Sequence, residues 1–176
     1  MTAVTGAPSS PPRFIRVHSA PDLTELDLLL RLGAAVVAGS VIGLNRDLRD
    51  RPAGVRTHAL VGLGSALVVL AAIELPGDPA QAGAAVRAMQ GVLTGIGFLG
   101  AGVIVHQRDR KTVRGLTTAA TIWMTAGLGL VCGLGRWMLA ATGIALGLGV
   151  LLAGGPLERL VRRLMRKPAV GPAEPD

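Results

Sequence analysis

The sequence predicts an all-α integral membrane bundle of five transmembrane helices, with the N-terminus outside and the C-terminus in the cytoplasm. Three observations carry this reading. The 176-residue chain is 50% hydrophobic and only 16% charged, with a mean hydropathy of +0.52, too apolar for a small soluble domain. Its 25 glycines lie largely inside apolar runs, where each would cost a soluble helix roughly 1 kcal/mol against alanine. Lysine and arginine cluster in alternate gaps between those runs, as they do where loops are retained in the cytoplasm.

Crossing the hydrocarbon core as a helix takes about 20 mostly apolar residues. Five stretches qualify: 26–44, 58–75, 89–106, 116–135 and 137–154. The first carries Asp27 and Arg31 near its start; Arg31 either snorkels to the outer surface or finds a buried partner. The second holds Glu74 at its edge, the third holds the terminal His106, and the last two contain no Asp, Glu, Lys or Arg. Residues 76–86, a Pro-Gly-Asp-Pro turn followed by alanines, read as an external loop interrupted by its prolines. Residues 1–25 read as a disordered external tail, 26–154 as the transmembrane domain, and 155–176 as a short basic cytoplasmic tail.

The arginines and lysines set the orientation. Thirteen fall in the two gaps after spans one and three and in the C-terminal tail, against four on the opposite side, with Arg31 inside the first span. The net charge of +7 is therefore a topology signal facing the anionic cytoplasmic leaflet. Nucleic acid is not an expected partner, because no aromatic platform stands among the arginines: Phe14, Phe98, Trp123 and Trp137 are the only aromatic residues.

Catalytic chemistry is not expected either. The chain has a single cysteine, Cys132, read as a packing residue, and no P-loop, nucleotide fingerprint or nucleophile–base set. No cofactor is implied. His58 and His106 lack the companion acid or thiolate that a metal site requires, so no metal ligands are assigned. Carboxylates are scarce at membrane depth, which argues against a proton relay or a magnesium path.

The first cytoplasmic segment runs from Gly43-Leu44-Asn45-Arg46 through Arg51-Pro52 to Arg56-Thr57-His58. Arg46 with Asp50, and Asp47 with Arg51, are spaced to pair along a helix that Pro52 ends. The second segment, Arg108-Asp109-Arg110-Lys111-Thr112-Val113-Arg114, echoes it. Spans one and two are then either a parallel repeat of spans three and four or similar only because short basic loops look alike. Arg56 and Arg114 stand just before spans two and four, where a helix dipole disfavours a cation; either topology explains them, or they bind an anionic head group or partner. Four Gly-x-x-x-Gly pairs (39/43, 91/95, 129/133, 143/147) match the roughly 3.5 that chance supplies, so they add nothing beyond composition. The denser cluster Gly95, Gly97, Gly100 and Gly102 predicts a span central to the bundle, pressed on several sides.

Three ordered motifs resemble the MgtC/SapB family of bacterial inner-membrane proteins. They are Arg49-Asp50-Arg51-Pro52-Ala53-Gly54-Val55-Arg56-Thr57-His58, Gly95-Ile96-Gly97-Phe98-Leu99-Gly100-Ala101-Gly102-Val103-Ile104, and Val113-Arg114-Gly115-Leu116-Thr117-Thr118-Ala119-Ala120-Thr121-Ile122-Trp123. The resemblance covers roughly 28–153, and Arg87 falls where the family has an arginine. Asn45 stands where family members commonly have Glu, so no charge-dependent role transfers to it. About 20 residues follow span five, as in a short, SapB-like member without the C-terminal cytoplasmic domain. The resemblance implies a regulatory or accessory protein of magnesium limitation, and of virulence in pathogens. It implies action on other membrane machinery, such as the ATP synthase, rather than transport; a magnesium or small-ion transporter or channel is the alternative. The contact residues expected on this reading are Asn45, Arg46, Arg56, Thr57, His58, Arg87, Arg114, Thr117, Thr118 and Trp123, with anionic lipids, a partner complex or a second copy of the chain as partners.

Overall fold

A computed structural model describes residues 23–74, 79–105 and 115–165, all folded around five helices. They are α1 (Glu25–Asp47), α2 (Val55–Glu74), α3 (Pro79–Val105), α4 (Leu116–Gly133) and α5 (Trp137–Met165). All five are long and apolar enough to cross a membrane, and no strand occurs among the described residues.

α1 begins where Thr24 caps it, its Oγ1 accepting from the Asp27 N–H at 3.2 Å, with Glu25 and Asp27 in the first turn facing the positive end of the helix dipole. It ends at Asp47, and Asp50 (φ 50°) and Ala53 (φ 59°) take left-handed conformations in the turn to α2. Here the expected charge ladder does not form. Arg46 and Asp47 pair with neither Asp50 nor Arg51; instead Asp47 Oδ2 accepts the Val55 N–H at 2.9 Å and caps α2. A carboxylate on an otherwise unpaired N–H at a positive helix end is worth more than an exposed i,i+4 pair. Gly54 makes room for it, since a Cβ there would collide with the Asp47 carboxylate.

α3 starts about ten residues earlier than its apolar stretch suggests. Pro79 opens the helix rather than breaking a loop, because proline at the first helical position lacks only an N–H that has no partner anyway; the alanines that follow are strong helix formers. α5 likewise runs past residue 154 to Met165 with Pro156 inside it. Leu157, Leu160, Val161 and Leu164 continue one apolar stripe at helical spacing, and Arg159 Nε donates to the Gly155 carbonyl at 3.2 Å.

α4 is the centre of the bundle. Its membrane-length window is 56% buried, against 33% for α2, 28% for α1 and 6% for α3 and α5. The core joins Ala35, Ala38 and Ile42 of α1, Ala66 of α2, Leu128 and Cys132 of α4, and Ala140 of α5. Backbones cross at glycines. A Cβ at Gly39 would strike the His58 carbonyl, one at Gly62 would lie 2.6 Å from the Ala35 carbonyl oxygen, and one at Gly129 would strike the Gly62 carbonyl. Two of the four Gly-x-x-x-Gly pairs, 39/43 and 129/133, are thus close-crossing points between α1, α2 and α4.

The cluster on α3 corrects the expectation of a central third span. Gly95, Gly97 and Gly102 have open space where a Cβ would go, and only Gly100 packs, against Ala119 of α4. The two hairpins are therefore not packed alike: α1 meets α2 backbone to backbone, whereas α3 meets α4 through Ala119 and through Gly115, whose absent side chain lets Val103 close in.

Candidate functional site

The buried polar side chains gather toward the end of the bundle where α1 finishes and α2 and α4 begin. Arg46 (4% exposed), His58 (0%), Thr118 (1%) and Thr121 (4%) are all buried there. Arg46 Nη2 donates to Thr118 Oγ1 at 2.6 Å. His58 Nδ1 faces the Gly54 carbonyl at 3.0 Å, and its Nε2 lies 3.2 Å from Thr121 Oγ1. One turn deeper, Thr125 Oγ1 donates to the Thr121 carbonyl at 2.9 Å and Ser65 Oγ to the Val61 carbonyl at 2.8 Å.

The Gly54 carbonyl only accepts, so His58 Nδ1 carries a proton, and the neutral ring offers Nε2 as an acceptor. Thr121 has one hydroxyl proton and two acceptors for it, His58 Nε2 and the Thr118 carbonyl at 2.8 Å. Its choice between them links α2 to the first turn of α4. Asn45 Oδ1 and Arg46 Nε, both buried, have no hydrogen-bond partner among the described residues.

The opposite end holds a second arginine. Arg31 Nε makes a 2.8 Å ion pair with Asp27 Oδ2, and Nη1 donates to the Gly133 carbonyl at 3.0 Å at the C-terminus of α4. Of the two readings of this residue, the buried partner holds. Gly135, at φ +67°, leaves the space that the guanidinium fills.

Of the residues singled out in the sequence, the structure brings together Arg46, His58 and Thr118, with Asn45 beside them on α1. Arg56, Thr57, Thr117 and Trp123 are exposed on the outside of the bundle. Arg87 is exposed in α3, well before the helix reaches this end. Arg114 and His106 lie outside the described residues. Thr121, Thr125 and the capping role of Asp47 were not anticipated. The signal for the threonines was present: 118, 121 and 125 share one helical face at i, i+3 and i+7.

Comparison with known proteins places this arrangement in a wider group. The MgtC family model matches residues 32–160, which contain Arg46, His58, Thr118 and Thr121 but not the Arg31–Asp27 pair. The protein SrpB of Synechococcus elongatus is 53% identical over 119 residues, covering 62% of this chain and 65% of that protein. The protein MgtC of Salmonella typhimurium is 46% identical over 109 residues, covering 61% of this chain and 44% of its own length. A protein of Haemophilus influenzae is 43% identical over 107 residues, 57% of this chain and 44% of its own. The chain thus spans between about two-fifths and two-thirds of the length of these relatives. No solved structure matches. With most of its length matched, including the Arg46 end of α1 and the whole of α4, the chain belongs to the MgtC family.

Proposed function

We propose that the protein is a regulatory or accessory component of the bacterial inner membrane, acting on other membrane machinery rather than carrying magnesium itself. In this reading the N-terminus is outside, and the end that gathers Arg46 and His58 faces the cytoplasm. Its setting is magnesium limitation, the role that likeness to this family suggests, with virulence as the corresponding role in pathogens. The exposed arginines 49, 51 and 56 then form the surface that meets a partner complex, such as the ATP synthase, or anionic lipid.

One observation carries the choice. Among the described residues the buried polar side chains are Arg46, His58, Ser65, Thr118, Thr121 and Thr125, with no carboxylate. A divalent cation needs several oxygens, at least some of them charged or hydrated, along its path. The hydroxyls of Ser65, Thr121 and Thr125 are turned onto carbonyls of their own helices, and the buried Arg46 at that end of the bundle repels a cation. Proteoliposomes holding only this protein are expected to show no magnesium flux above that of empty liposomes. Saturable flux would overturn the reading in favour of a transporter. A deletion strain followed across magnesium concentrations, with ATP level and membrane potential recorded, tests the regulatory side; unchanged behaviour throughout would remove it.

A further inference from the structure

We propose that Arg46 and the first turn of α4 form the seat of a phosphate-class oxyanion. The proposal concerns a buried site, apart from the exposed arginine surface above, and stands whether the protein regulates or transports.

Two arginines of α1 approach the two ends of α4, and they differ in what they find there. Arg31 meets the C-terminus, where helix carbonyls are unpaired and a cation is favoured, and Asp27 pairs it as well. Arg46 meets the N-terminus, where the dipole is positive and the N–H groups of 116–118 have no intrahelical acceptor. Gly115 is the N-cap and has no side chain to offer them. No carboxylate pairs with Arg46 among the described residues: the one ion pair there is Arg31–Asp27, and Asp47 caps α2 instead.

The result is an arginine only 4% exposed, held by a neutral hydroxyl, with its Nε unpartnered among the described residues, against the positive end of a helix. Buried charges are ordinarily paired. What is absent among the described residues is negative charge, and the donors fit one kind of ligand. A guanidinium edge and a row of helix N–H groups together recognise a tetrahedral oxyanion, as helix N-termini do for phosphate elsewhere. Exposed Arg49 and Arg51 on the adjoining turn favour the higher charge of a phosphate over a single carboxylate. The site lies at the end of three membrane-length helices, so the oxyanion is either a lipid head-group phosphate or phosphate from solution.

The full chain, labelled with 15N-arginine and delipidated in a maltoside detergent, distinguishes these sources. Inorganic phosphate, but not chloride, is expected to shift the Arg46 Nε–H signal saturably while leaving the signals of Arg49 and Arg56 nearly unmoved. Arg46→Lys should weaken that affinity about tenfold, because an ammonium lacks the fork, and Arg49→Gln by no more than about threefold, as for a solvated charge. If Arg46→Lys does not fold, the wild-type titration still decides, because exposed arginines in the same sample are its control. A signal indifferent to inorganic phosphate, yet displaced in phosphatidylglycerol nanodiscs relative to phosphate-free glycolipid nanodiscs, supports the site with the lipid as source. No displacement in either arm overturns the proposal. So does a signal already displaced without any phosphate and restored by Asp109→Asn, which would show that the chain supplies its own counter-charge.

Discussion

Thr121 and Thr117 are four positions apart on the same helix, yet one hydroxyl is buried against His58 and the other is exposed. Valine has the shape of threonine without the hydroxyl, so the two substitutions isolate that difference. Thr121→Val leaves His58 Nε2 buried without its partner and is expected to cost about 1–3 kcal/mol. Thr117→Val should fall within about 0.5 kcal/mol of wild type. Thermal unfolding in detergent compares them directly, and equal effects would remove the structural role given to the His58–Thr121 contact. At the other end, Arg31→Met strips the Gly133 carbonyl of a donor and leaves Asp27 alone. A loss of about 1–3 kcal/mol is expected, with Asp27→Asn costing less because that carboxylate is one-third exposed. Little of this was legible beforehand. Arg46 and Thr118 are 72 positions apart, and spacing within a helix cannot reveal a contact made between helices. Reading the interior by its acids and bases also passed over the hydroxyls that line it.

The helices themselves were largely legible, because a run of about 20 apolar residues has few fates other than to span a membrane. Their ends were less so. Pro79 and Pro156 stand inside or at the start of helices where proline usually marks an end, and their tolerance depends on which N–H is being given up. Packing was the least legible. Composition alone explained the number of Gly-x-x-x-Gly pairs, and it took geometry to show which glycines touch a neighbour. That distinction yields a prediction. Gly39→Ala would drive a methyl into the His58 carbonyl of α2, where backbone must shift, and should destabilise by about 1–3 kcal/mol or more. Gly95→Ala meets open space and should be neutral, or stabilising by up to about 1 kcal/mol through helix propensity. Melting temperatures of the two variants against wild type check both; a harmless Gly39→Ala would refute the tight crossing.

At the scale of the molecule, the arginine distribution predicts that residues 50 and 112 share one face of the membrane. Cys132 is the only cysteine and is 1% exposed, so single cysteines introduced at 50 or 112 in intact cells report only themselves to a membrane-impermeant maleimide. Both should stay unlabelled until the membrane is permeabilised, and labelling of one alone would dismantle the five-span topology.

The central position of α4 has a consequence for how the protein is made. Helices emerge from the ribosome in chain order, so α1 and α2 close against each other while α4 is still being synthesised. The face of α4 that carries Thr118, Thr121 and Thr125 suits protein better than lipid. α3, which precedes it, is covered over only a small part of its surface. α3 must therefore leave the groove between its predecessors vacant, as its packing on α2 and α4 but not on α1 among the described residues allows. The late-arriving α4 then enters that groove, and with it the bundle acquires its buried arginine and histidine at one stroke.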